Sequence, residues 1–277
     1  MRSGFCAGLA LNDSDLAHAA RAALGRGRGA AAGNGLGSSR AALAPVGRET
    51  LQERVYAELR RSLIHGVFDA GEVLLIQNLA ETLQTSTMPV REALARLVSE
   101  SALEALPSRS VRVPLITRER LDDLARARRL VEGELTALAV PHLGQADFDE
   151  LRRLTVACEA AFRSDIPDKA QVTSEWNHAF HFAIYRAARS AVLIPIVESL
   201  WLQSGPYVRT AARIHDERRD VPAAHHHWAL IEALERGDEK GSIAALRQDI
   251  TRSFDLIRAR LEAQEPQEPN QRRVGNG

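Results

Sequence analysis

The sequence predicts a mostly α-helical protein in two parts: three short helices with a small β-hairpin, then an all-α bundle. Three observations predict it. Apolar residues recur at helical spacing from Thr50 onward. One stretch, Val111-Arg112-Val113, alternates with a period of two, as a half-buried strand does. After Thr117 no strand signal remains, and helical stretches follow one another for about 145 residues.

The elements follow in order. Thr50 with Glu53 makes a capping box, and Leu51, Val55, Leu59 and Leu63 then share one helix face. Gly66 is the stop, because a left-handed residue ends a helix cheaply when it is glycine. Asp69-Ala70-Gly71 is a turn, and Leu75 to Leu83 a short helix. Gln84-Thr85-Ser86 connects tightly to a third helix capped by Ser86. Pro89 falls in its first turn, where a missing N–H costs nothing, and Val90, Ala93, Leu94 and Leu97 face inward. Leu103 to Leu106 and Val111 to Val113 form the hairpin around Pro107-Ser108-Arg109-Ser110. Helices are then expected at about 117–142, 147–164, 168–189, 193–213, 222–236 and 238–262. Asp147 with Glu150 reads as a second capping box, Pro195 and Pro222 lie near helix starts, and Gly237-Asp238 is a stop followed by a cap.

Composition excludes several classes. The chain has 277 residues, with 36 basic and 36 acidic side chains. No apolar run reaches the roughly 18 residues that span a bilayer. Two cysteines cannot build a disulfide scaffold or a cysteine-based zinc finger. Only Lys169 and Lys240 are lysines; so general an arginine excess reflects coding bias and says nothing about partners. Residues 1–47 are rich in Ala, Gly, Ser and Arg, as in Gly25-Arg26-Gly27-Arg28-Gly29, and read as a disordered extension. Residues 264–277 read as a polar tail, which leaves 48–115 and 117–263 as folded domains.

Three helices and a hairpin are the order of a winged helix-turn-helix, whose second motif helix enters the major groove of DNA. Total charge argues mildly against DNA: residues 48–116 carry eight arginines and nine acids. Placement argues for it, with Arg91 and Arg96 on the outer side of the third helix, Arg109 and Arg112 on the wing, and Arg60 and Arg61 on the first helix. Each could equally be a solvated surface residue.

The run Leu79-Ala80-Glu81-Thr82-Leu83-Gln84-Thr85-Ser86-Thr87-Met88-Pro89-Val90-Arg91-Glu92-Ala93-Leu94 resembles the helix-turn-helix signature of GntR-family transcriptional regulators. The wing, Ala102 to Val113, resembles the same family. The resemblance implies DNA contacts from Ser86, Thr87, Met88 and Arg91, to which Arg60 and Arg109 add candidate contacts. Most members carry Arg where Thr87 stands and Thr where Met88 stands, so the preferred operator bases should differ.

In the second half, Asn177 and His181 are spaced to share a helix face. His227 lies within the face of Leu230, Ile231 and Leu234, and Asp249 at the edge of the stripe of Leu246, Ile250 and Ile257. A single histidine on an apolar face is more often a hydrogen-bonded core residue, but four inward polar residues from three helices suit a metal better. Glu175 and His178 form one Glu-x-x-His pair where a di-iron bundle needs two, which weakens a metal-dependent helical enzyme as the alternative reading. This half is similar to the FCD effector-binding domain of the FadR subfamily, through Arg128…Glu132, Phe180-His181 and His227…Ala233-Leu234…Gly237-Asp238. The resemblance implies a divalent metal (Zn, Mn or Ni) on Asn177, His181, His227 and Asp249, with Asn and Asp standing where the family usually has Asp and His. It also implies a small carboxylate effector near Arg128, with Arg209 and Arg213 as further candidates; for each, a surface salt bridge is an equal reading. The resulting expectation is a cytoplasmic homodimer that reads a pseudo-palindromic operator and is no enzyme.

Overall fold

A computed structural model describes residues 50–107, 110–215 and 221–264. The extension at 1–47, the tail at 265–277 and Arg109 of the wing lie outside the described residues.

Helix α1, Leu51–Ile64, starts at the expected capping box: Thr50 Oγ1 accepts from the Glu53 N–H at 3.2 Å, and Glu53 accepts from the Thr50 N–H at 2.7 Å. Val55, Leu59, Leu63 and Ile64 are buried. Leu51 is 52% exposed, so the buried stripe begins one turn later than its spacing suggests. Gly66, with φ +66°, ends the helix. Then come β1 (Val73–Leu74), α2 (Ile76–Thr82), α3 (Thr87–Ser99), β2 (Glu104–Ala105) and β3 (Val111–Arg112). The sheet has the order β1-β3-β2 and is antiparallel throughout, with Arg112 opposite Val73 on one side and Glu104 on the other. The hairpin is as expected, and β1 is an addition. Val90, Ala93, Leu94 and Leu97 of α3 pack against α1 in the core of this winged helix.

The bundle consists of α4 (Arg118–Ala139) with a 3-10 turn at Val140–His142, then α5 (Gln145–Arg163), α6 (Lys169–Ala187), α7 (Leu193–Ile214), α8 (His225–Glu235) and α9 (Glu239–Gln264). Asp238 caps α9 as expected, accepting from the Gly241 N–H at 2.9 Å. The start of α5 differs from expectation. It begins at Gln145, so Asp147 is no N-cap but occupies the third helical position, where it accepts from the Gly144 N–H at 2.9 Å. Glu150 is then free to pair with Arg153. Pro206 sits inside α7 without ending it. Leu121, Leu135, Leu151, Phe180, Trp201 and Phe254 are among the fully buried side chains of the bundle core.

The described residues form one compact unit. Its two parts meet along α1 and α7. Leu202 of α7 is buried in the core of the winged helix, not in that of the bundle. Beside it the backbones nearly touch: a Cβ on Gly205 would lie 1.8 Å from the Leu63 carbonyl oxygen, so only glycine fits. Arg209 Nη1 donates to the Gly66 carbonyl at 2.6 Å, and Arg213 pairs with Asp69 at 2.5 Å.

Candidate functional site

The first turn of α3 presents Ser86, Thr87, Met88 and Arg91 to solvent, with Met88 62% exposed. Arg91 has no ion-pair partner among the described residues, so its guanidinium is available to DNA. The neighbouring arginines are engaged. Arg96 lies 3.6 Å over the Tyr56 ring and pairs with Glu100, and Arg112 pairs with Glu104 at 2.7 Å. Arg60 faces the bundle, where it pairs with Glu198 at 3.2 Å. The structure thus groups four of the expected DNA contacts on one helix end and places Arg60 apart from them.

Inside the bundle, α6, α8 and α9 bring His181, His227 and Asp249 together, all buried, with donor atoms within 4.8 Å of one another. His181 Nε2 stands 3.1 Å from Asp249 Oδ2. His227 Nε2 stands 3.1 Å from Asn177 Oδ1 and 4.0 Å from Asp249 Oδ1. Donors around one first-row metal ion, each bonded at about 2.1 Å, lie roughly 3–4 Å apart, so the spacing suits an ion.

Hydrogen-bond accounting tests the fit further. The Tyr185 hydroxyl donates its only proton to Glu132, a carboxylate that also accepts from Arg128 Nε at 2.5 Å. Its oxygen therefore accepts from His181 Nδ1, 3.2 Å away. That leaves a lone pair on His181 Nε2 facing a carboxylate oxygen in a buried site. Two acceptors 3.1 Å apart, too close for a water between them, are unfavourable, and a cation between them, a proton or a metal ion, resolves the contact. Burial pushes the His227 pKa down to about 3, which keeps the ring in the neutral form that ligates metals. Burial works against ionisation of Asp249, but the His181 and His227 rings beside it hold the carboxyl well below the usual range. Phe180 stacks on the His227 ring at 3.8 Å and fixes its plane. Two imidazoles, a carboxylate and an amide oxygen thus form a donor set that fits a divalent ion.

A cavity of about 40 Å³ opens beside these donors, lined by Asn177, His227, Asp249, Ser174 and Arg252 among others. Its size suits an ion with water. Arg252 was not among the expected residues. It reaches the wall from one helical turn after Asp249 and donates to the carbonyls of Ala223 at 3.1 Å and Val221 at 2.8 Å. Neither expected effector arginine lines this cavity. Arg128 is buried against Glu132, 4.2 Å over the Trp201 ring, and Arg213 is committed to Asp69 at the junction. Arg209 also serves the junction, through Gly66. Cys158 lines the cavity as well, but burial raises its thiol pKa to about 12, which makes it a poor ligand and nucleophile.

Two family descriptions match the chain in tandem: bacterial regulatory proteins of the gntR family over residues 51–113, and the FCD domain over residues 123–252. The HTH-type transcriptional regulator McbR of Escherichia coli (strain K12) is 33% identical over 211 residues, which covers 75% of this chain and 93% of that protein. The chain belongs to the GntR family. Its FCD domain places this GntR-family chain in the FadR-like branch. The solved structure of E. coli McbR/YncC matches it with a TM-score of 0.69 at 29% identity, over 76% of this chain and 99% of that one. A putative transcriptional regulator GntR from Rhodococcus sp. RHA1 shares the fold, with a TM-score of 0.60 at 20% identity, over 75% and 97% of the two chains. The order of a GntR winged helix before an all-helical FCD domain is the order observed here. No described helix is long and apolar enough to cross a membrane.

Proposed function

We propose that this GntR-family chain is a homodimeric transcriptional regulator that responds to a small carboxylate with the help of a divalent metal. Residues 48–115 act on DNA and 117–263 sense the ligand. The α3 helix enters the major groove of each half of a pseudo-palindromic operator. Arg91 reads a base edge, while Ser86, Thr87 and Met88 set the neighbouring preference. The metal, Zn, Mn or Ni, is held by His181, His227 and Asp249, with Asn177 as the weakest donor. Arg252 lines the same cavity as these donors and takes the effector's carboxylate by exchanging it for the carbonyls it now holds. Binding biases the placement of the two winged helices through the α1–α7 junction, and so the operator affinity.

The observation that carries this reading is an unpaired Arg91 at an exposed helix end, in the same chain as three converging metal donors. The relatives described above are named as transcriptional regulators, and none lends support to a metal-dependent enzyme. The chain acts by binding and not by turnover.

A gel shift on the DNA upstream of its own gene tests the first half. Arg91→Ala should weaken operator binding by about 1–3 kcal/mol and relax base preference at one position of each half-site. Unchanged binding would remove Arg91 from the interface. Elemental analysis of the purified protein tests the second half.

A further inference from the structure

A second cavity, of about 690 Å³, lies between α1 and α3 of the winged helix and α6 and α7 of the bundle. It shares no described lining residue with the cavity beside the metal donors. Its volume is that of a site for a small organic molecule. The floor is apolar, made by the buried side chains of Ile64, Phe182 and Leu202. Four guanidinium groups stand around it: Arg60 and Arg61 from α1, Arg96 from α3 and Arg186 from α6. Among the described residues, Glu100 and Glu198 are the only carboxylates in its lining, so two of the four guanidinium charges are in excess.

The existing pairs identify the surplus charge. Arg60 is matched by Glu198 and Arg96 by Glu100, at 3.2 and 3.1 Å. Arg61 holds Glu58, outside the lining, by Nε at 3.2 Å and Nη2 at 2.8 Å, but both side chains are exposed, so solvent screens the pair and a dianion can compete for Arg61. Arg186 has no carboxylate partner among the described residues; its guanidinium lies 5.8 Å over the Phe182 ring. His178 stacks on the same ring at 4.1 Å, with His65 5.3 Å beyond it. These two rings come from different halves of the molecule and add aromatic wall above the floor.

We propose that this cleft binds a small organic dianion with an apolar body, its charges held by Arg61 and Arg186 and its body set on Phe182, Ile64 and Leu202. Guanidinium forks match phosphate and carboxylate oxygens two at a time, so a phosphate monoester and a dicarboxylate present the same chemistry to them. One wall of the cleft belongs to the DNA-binding half and the other to the bundle. A ligand bound here therefore stabilises their present arrangement in proportion to its occupancy. The site does not depend on the metal or on the effector proposed above.

The test uses the full chain at fixed ionic strength with three probes: phenyl phosphate, phthalate and inorganic phosphate. Calorimetric titration should show both aryl dianions binding several-fold tighter than inorganic phosphate, because only they cover the floor. The tighter of the two assigns the source as phosphate ester or dicarboxylate. Arg61→Ser and Arg186→Ser should each weaken binding about tenfold, the loss of one charge-assisted hydrogen bond. Both side chains are exposed, so the variants should melt as the wild type does. His227→Ala should leave binding unchanged. Three results would overturn the proposal: no heat beyond the chloride control, binding that survives in the double arginine variant, or binding lost with His227. It would fall equally if the double variant left the dianions bound and instead weakened DNA binding with a shallower salt dependence, since the arginines would then be phosphate contacts for DNA.

Discussion

The Tyr185 hydroxyl stands between Glu132 and His181, donating to the carboxylate and accepting from the imidazole Nδ1 3.2 Å away. One phenol thereby decides which nitrogen of His181 carries the proton and which faces Asp249. Tyr185→Phe keeps the ring and removes that decision. The expected outcome is a 10–100-fold loss of divalent-metal affinity, measured by competition with a chromophoric chelator. A stability loss of about 1–3 kcal/mol should accompany it, because Glu132 and His181 each lose a buried partner. Unaltered metal affinity would show that the tautomer is set elsewhere.

Asp249 supplies the only carboxylate among the four donors. Asp249→Asn should abolish stabilisation by divalent metal in a melting experiment. Asn177→Asp adds a second carboxylate to the same set and should enlarge it. A metal-dependent shift that persists in Asp249→Asn would move the ion to another place.

The α1–α7 junction depends on Gly205 having no side chain. Gly205→Ala puts a Cβ where the Leu63 carbonyl stands and should force the helices apart, so that a single thermal transition splits into two. Leu202→Ala should cost about 2–5 kcal/mol, read as a lowered midpoint of that single transition, because its pocket lies in the core of the winged helix.

Acid should weaken the fold. Burial lowers the His178 pKa from 6.5 to about 3, and burial lowers that of His65 as well. The unfolded chain therefore binds more protons than the native one between those values. Stability is full above about pH 6.5 and declines as pH falls towards 3. Denaturant titrations at pH 7 and pH 5 should differ by up to about 2 kcal/mol on account of His178, and His178→Gln should reduce the difference. A flat profile in the wild type would contradict the burial of that ring.

The sequence revealed repeated apolar spacing more readily than it revealed partners. The faces of α1 and α3 were legible because Val55, Leu59, Leu63, Val90, Leu94 and Leu97 recur at helical intervals. Two-residue β1 was not, since Val73–Leu74 is too short to show alternation. The metal donors could be picked out because each lies in or beside an apolar stripe. Leu202 had the same look and a different meaning: periodicity shows that a side chain is buried, but not in which core. The arginines were harder still. Arg128, Arg213 and Arg252 differ little in local sequence, and their roles follow from tertiary neighbours: Glu132 for the first, Asp69 for the second and two loop carbonyls for the third.

Leu202 also bears on how such regulators can be rebuilt. A hybrid sensor cut at the short connection between β3 and α4 would leave this leucine with the bundle and its pocket with the departing winged helix. The graft would then carry a hole where a side chain belongs, and its new head would meet a bare leucine on α7. A recipient head would need a matching hollow for Leu202, and a main chain able to lie against Gly205 as Leu63 does. Compatibility between heads and sensors in chimeric biosensors built from this chain is thus written on the flank of α7, about ninety residues away from the splice.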